Sequence, residues 1–75
     1  MNNKPNLTPE QITAKVVKAY KRGDRFEDDE LRIAIKFLGN LRDFTFRVPQ
    51  YYLMHKDIAI THEGLIDCQD ARKRQ

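Results

Sequence analysis

Glu27–Arg42, EDDELRIAIKFLGNLR, is the stretch whose reading decides the fold. At about 100° per residue, Leu31, Ala34, Ile35, Leu38 and Leu41 form one stripe of a helix, and Ile33 and Phe37 project from nearly the opposite side. A helix that is apolar on two faces needs cover on both. In a chain of 75 residues the second cover comes either from the aromatic C-terminal half or from another copy of the protein, because small domains bury a small share of their surface.

On the N-terminal side of this stretch, Thr8-Pro9-Glu10-Gln11 carries the signals of a helix start. Thr8 can cap, Pro9 suits the first helical position and Gln11 can complete a capping box. The helix is expected to run to about Arg22, burying Ile12, Val16, Ala19 and Tyr20, with Gly23 as its stop. Residues 1–7 are then a disordered leader and residues 8–74 a single small helical domain. The linker Gly23–Phe26 is short enough to make the two helices an αα-hairpin. Glu27, Asp28, Asp29 and Glu30 place negative charge where the dipole of the second helix favours it, and Asp28 and Arg32 are spaced for an i, i+4 pair.

On the C-terminal side, Gly39-Asn40 weakens the helix, which is expected to end there or at Arg42. Phe44-Thr45-Phe46-Arg47-Val48 alternates like a strand, with Ile58-Ala59-Ile60 as its one candidate mate. The competing pattern, a helix from Pro49 with Tyr51, Met54, His55 and Ile58 on one face, matches more positions and is preferred. Thr61 can cap a last helix from His62 to about Arg74. The expected fold is therefore mainly α: an αα-hairpin plus one or two shorter C-terminal helices, completed where needed by oligomerisation.

The bulk composition narrows the function. A chain this short has little room for the cleft of an ordinary enzyme. It contains no serine, which excludes a serine triad. Gly23, Gly39 and Gly64 stand singly and form no phosphate-binding loop. Cys68 is the one cysteine, so no intrachain disulfide exists and a reducing cytoplasm is the expected setting. No apolar run reaches the roughly 18 residues that span a bilayer, so no membrane partner is expected.

Three groups of side chains are candidates for chemistry or contact. Lys15, Lys18, Arg22 and Arg25 follow i, i+3, i+7, i+10 with Lys21 beside them, and Arg72-Lys73-Arg74 ends the chain. Together they could track the phosphates of a nucleic acid, within a net charge of +3. Charged outer faces are equally the rule for surface helices, and the acidic run 27–30 lies close in sequence. His55, His62 and Cys68 include zinc-binding residue types, but their spacing matches no compact metal motif. The third group is aromatic: Phe44, Phe46, Tyr51 and Tyr52, packed into nine residues and followed by Leu53-Met54. Such residues are enriched in interface hot spots, and a two-helix hairpin cannot bury them all. With Ile33 and Phe37 they form the expected protein interface.

The arrangement TPEQITAKVVKAYKRGD, then DDELRIAIKFLGNL, then an aromatic tail with one cysteine, resembles the small accessory proteins encoded in early regions of temperate lambdoid phages. The resemblance covers residues 8–54 in size and style. It implies a non-enzymatic protein that modifies replication, transcription or cell-cycle control by binding something. The expectation is a self-associating protein-interaction module of regulatory character, without catalytic residues, cofactor, metal or small-molecule substrate, and with a homo-oligomer or another protein as partner. The alternative is a nucleic-acid-binding protein using the basic side chains above.

Overall fold

A computed structural model describes residues 7–74; the leader assigned to residues 1–7 lies outside them except for Leu7, which is exposed. The described residues form three helices, α1 (Pro9–Arg22), α2 (Asp28–Arg47) and α3 (Tyr52–Lys73), with a 3-10 turn at Pro49–Tyr51 before the last. No strand occurs among them. The chain is mainly α and begins with the helical hairpin expected from its sequence.

Local chemistry sets the boundaries. At the start of α1, the Thr8 hydroxyl accepts from the Gln11 N–H at 3.1 Å, and the Gln11 side chain accepts from the Thr8 N–H at 2.9 Å. Gly23 ends α1 at φ 78°, a left-handed conformation that glycine adopts without steric cost. At the start of α2, Glu30 accepts from the Glu27 N–H at 3.1 Å. The end of α2 follows from Pro49. The residue before a proline is forced toward extended geometry, and Val48 sits at φ −111°, ψ 105°.

The core is small. Val16 from α1, Leu31, Ala34 and Leu38 from α2, and Leu65 from α3 are its buried apolar side chains. Ile12, Val17, Phe26, Ile35, Leu41, Ile58 and Cys68 pack around them half-buried. Burial of so few large side chains leaves little margin over conformational entropy.

Three features differ from the sequence-based expectation. First, α2 passes through Gly39-Asn40 and on to Arg47. Gly39 is where α3 comes close: a Cβ there would stand 3.2 Å from His62 Nε2, so the glycine serves helix packing instead of ending the helix. Second, residues 44–47 of the strand-like segment are the last turn of α2, and Val48 is its extended C-cap. Residues two apart on a helix diverge by about 200°, so Phe44 and Phe46 leave on different flanks while Thr45 between them is buried. Third, the C-terminal region is one helix of 22 residues, the longest in the protein, and Thr61 is a buried interior residue of it.

Gly64 has a packing role as well. A Cβ at this position would lie 2.3 Å from the Tyr20 hydroxyl, so the missing side chain lets Tyr20 of α1 cover α3. A thermodynamic cycle with Gly64→Ala and Tyr20→Ala reads this contact directly. In the Tyr20→Ala background, Gly64→Ala should stabilise by about 1 kcal/mol in urea melts through helix propensity; with Tyr20 present that gain should vanish. Equal gains in both backgrounds would show that Tyr20 does not need the space.

Candidate interaction surface at the α2–α3 tip

The helices differ in length, and that places the surface. α1 has 14 residues, α2 has 20 and α3 has 22, or about 21, 30 and 33 Å at 1.5 Å per residue. Both α1 and α3 run antiparallel to α2: Lys15 pairs with Glu30 at 2.6 Å, Arg42 with Glu63 at 3.2 Å, and Arg72 with Asp28. The first turn of α1 lies over the middle of α2, where Thr8, Pro9 and Glu10 line a shallow pocket with Ile33, Lys36, Phe37 and Asn40. Beyond that level α2 and α3 continue as a pair.

Burial fades accordingly. On α3, Met54, Ile58, Thr61 and Leu65 follow i, i+4, i+7, i+11 and share one face. Leu65 and Thr61 are buried, Ile58 is half-buried, and Met54 is 54% exposed. On α2, Ile33, Phe37 and Phe44 share a face in the same way; the first two are half-buried beside α1 and Phe44 is 52% exposed. Phe44 meets Tyr51 across the turn, with ring centroids 5.8 Å apart. Leu53 and Ile60, seven residues apart on α3, are 83% and 62% exposed.

The other flank of the tip carries Phe46 and Tyr52, 74% and 69% exposed. Phe46 lies against the His55 ring at 5.5 Å, and the two share a cleft of about 380 Å³ with Gly39, Arg42 and Asp43. The structure thus brings Phe44, Phe46, Tyr51 and Tyr52 together at one end but on two flanks. Of the remaining interface candidates, Ile33 and Phe37 stand next to α1, part of the way along the same α2 face as Phe44.

A polar cluster centred on Arg42 fastens the tip, and it was not foreseen from the sequence. The Arg42 carbonyl lies 3.1 Å from the Thr45 hydroxyl and 3.0 Å from His55 Nδ1. A carbonyl only accepts, so His55 carries its proton on Nδ1. The Arg42 guanidinium reaches His62 Nδ1 at 3.3 Å and Glu63 at 3.2 Å. A guanidinium only donates, so His62 presents an unprotonated Nδ1 to it. Burial, and then the charge of Arg42, holds the His62 pKa below its ordinary value, against the smaller opposing effects of the Ile35 hydrogen bond and Glu63. The i, i+7 spacing of His55 and His62 was the one signal in the sequence that could have suggested a shared face.

Of the basic candidates, Lys15, Arg25 and Arg72 border one cleft at the opposite end with Glu27, Asp28 and Glu30 of the acidic start of α2. Lys18, Lys21, Arg22, Arg25, Lys73 and Arg74 are exposed. Lys15 is paired with Glu30. Arg72 donates to Asp28 and to the Phe26 carbonyl while its guanidinium covers the Phe26 ring at 4.6 Å. This use of Asp28 leaves Arg32 to pair with Asp29 instead of the i, i+4 partner expected. Two of the eight basic candidates therefore serve the fold.

Among the described residues, no three His, Cys, Asp or Glu side chains converge as a metal site, and Cys68 packs half-buried against the core. No described helix is long and apolar enough to cross a membrane. No protein-family model matches the sequence, and no curated protein or solved structure matches the chain.

The state of His62 makes stability depend on pH with a defined sign. The unfolded histidine takes up a proton near pH 6.5, before the folded one does, so acid favours the unfolded chain. Stability should be unaffected by this residue above pH 6.5 and should fall as the pH drops below it. His62→Gln should flatten that part of the profile between pH 6.5 and about pH 5, the range above carboxylate titration. An unchanged slope in urea melts would remove His62 as its source.

Proposed function

We propose that the protein is a non-enzymatic, self-associating interaction module whose contact surface is the α2–α3 tip. One observation carries this reading: Phe44, Phe46, Tyr52, Leu53, Met54 and Ile60, the largest share of the exposed apolar side chains, crowd the end that α1 does not reach. Exposed apolar surface of this extent marks binding sites, and aromatic residues and methionine are the usual anchors. The tip is also fastened internally by the Arg42 cluster, so little ordering entropy is lost when it docks. Function follows from that docking, as in an accessory regulator of the kind the phage early-region resemblance implies. Its setting is the cytoplasm, where the single Cys68 stays reduced.

A second reading, nucleic-acid binding, draws support from the exposed Lys18, Lys21, Arg22, Arg25, Lys73 and Arg74. It ranks below the first because Lys15 and Arg72 are engaged by Glu30 and Asp28, and because Glu27 and Asp29 would repel phosphates nearby.

Light scattering at low and high salt, with and without a DNA duplex, separates the two. Association through the apolar tip should give a mass above 8.9 kDa that persists at high salt and ignores DNA. Phosphate contact should give a DNA complex that weakens steeply as salt rises. A monomer that shifts onto DNA only at low salt would reverse the ranking.

A further inference from the structure

We infer that two copies of this chain join tip to tip through the groove left open beyond α1, so that α2 and α3 of each complete a four-helix bundle with those of the other. The inference rests on the interaction-module reading above and names its partner and its face.

The groove is the continuation of the site that α1 fills elsewhere. Along α3 the face Leu65–Thr61–Ile58–Met54 passes from buried to exposed, and along α2 the face Ile33–Phe37–Phe44 passes from half-buried to exposed. What is missing at the tip is an apolar helical surface. The tip itself offers apolar side chains to such an opening: Met54 and the half-buried Ile58, an i, i+4 pair on α3, and the exposed Phe44 on α2. Two tips related by a two-fold axis therefore offer each other the shape each lacks.

Area and charge favour a second copy over a foreign partner. Phe44, Leu53, Met54 and Ile60 are each more than half exposed, and at about 150–200 Å² per large side chain they offer on the order of 400 Å² of apolar surface. With the half-buried Leu41, Tyr51 and Ile58 and the charged rim, this approaches the roughly 800 Å² per partner of a standard interface. The charged residues between positions 43 and 57 are Asp43, Arg47, Lys56 and Asp57, two of each sign; Asp43, in the Phe46 cleft, pairs with Arg47 at 3.1 Å. A tip without net charge gives neither copy cause to repel the other. The opposite end, with its exposed lysines and arginines, has no such balance. A partner of a single charge sign would find no complement at the tip.

The test is sedimentation equilibrium on the full chain, with Met54→Glu and Phe44→Glu in the groove and Phe46→Glu on the other flank of the same tip. The wild type should have twice the monomer mass of 8.9 kDa. The two groove variants should raise the dimer dissociation constant at least tenfold with helicity unchanged, and Phe46→Glu should stay dimeric. Leu53→Glu, at a site 83% exposed and so clear of the monomer's core, supplies the same reading if a groove variant loses helicity. A wild type that is monomeric at every concentration would overturn both this inference and the self-association reading. A dimer broken by Phe46→Glu but not by Met54→Glu or Leu53→Glu would overturn the groove and leave self-association standing. An assembly larger than two would overturn the closed two-fold arrangement.

Discussion

The length of α1 is the constraint on which the rest of the molecule depends. With 14 residues against 20 and 22, it can cover the other two helices over only part of their span. Where it does, Val16 meets Leu31, Ala34, Leu38 and Leu65 in a core that excludes water. Where it does not, the same apolar faces of α2 and α3 run on into solvent. A longer α1 would have closed the bundle and removed the exposed end. The capping box at Thr8 and Gln11, together with Pro9, fixes the start of α1 at the point where the cover stops.

An exposed two-helix tip would be expected to fray, since no third helix among the described residues covers it. The Arg42 cluster counters this with polar contacts instead of apolar ones. Its backbone carbonyl holds Thr45 and His55, and its guanidinium holds His62 and Glu63, so one residue of α2 binds four side chains, three of them on α3. No buried side-chain nitrogen or oxygen among the described residues lacks a partner, so this polar seam carries no unsatisfied group. Gly39 and Gly64 contribute in a related way. Each removes a side chain where another residue must come close, His62 in one case and Tyr20 in the other.

Much of the hairpin was legible in the sequence because its signals are local. Thr8, Pro9, Gln11 and Gly23 mark the ends of α1 by backbone chemistry that needs no tertiary context, and the stripe Leu31, Ala34, Leu38 is buried as its spacing requires. What was not legible depends on neighbours distant in sequence. Gly39 and Gly64 read as helix weaknesses until His62 and Tyr20 are placed against them. Phe44-Thr45-Phe46 alternates as a strand would, but a helix that buries only its central residue produces the same pattern. The four tip aromatics were recognisable as contact residues from composition. Their division between two flanks, and the Arg42 cluster behind them, follow from the angle at which α3 returns along α2.

The two ends of the molecule are built on opposite principles, and each limits what the other can do. At the base, Lys15, Arg25 and Arg72 border one cleft, and the acidic start of α2 offsets them through Lys15–Glu30 and Arg72–Asp28. Those pairs are partly exposed, so each contributes little by itself, on the order of 0–1 kcal/mol. Their larger consequence is to offset the cations that share this cleft. The tip has balanced charge and carries its surplus as apolar area. Two copies meeting base to base would bring exposed cations together, whereas two meeting tip to tip would bury the area that α1 leaves bare. In the proposed dimer, charge sets the direction of approach, and the reach of α1 sets how much surface is there to be covered.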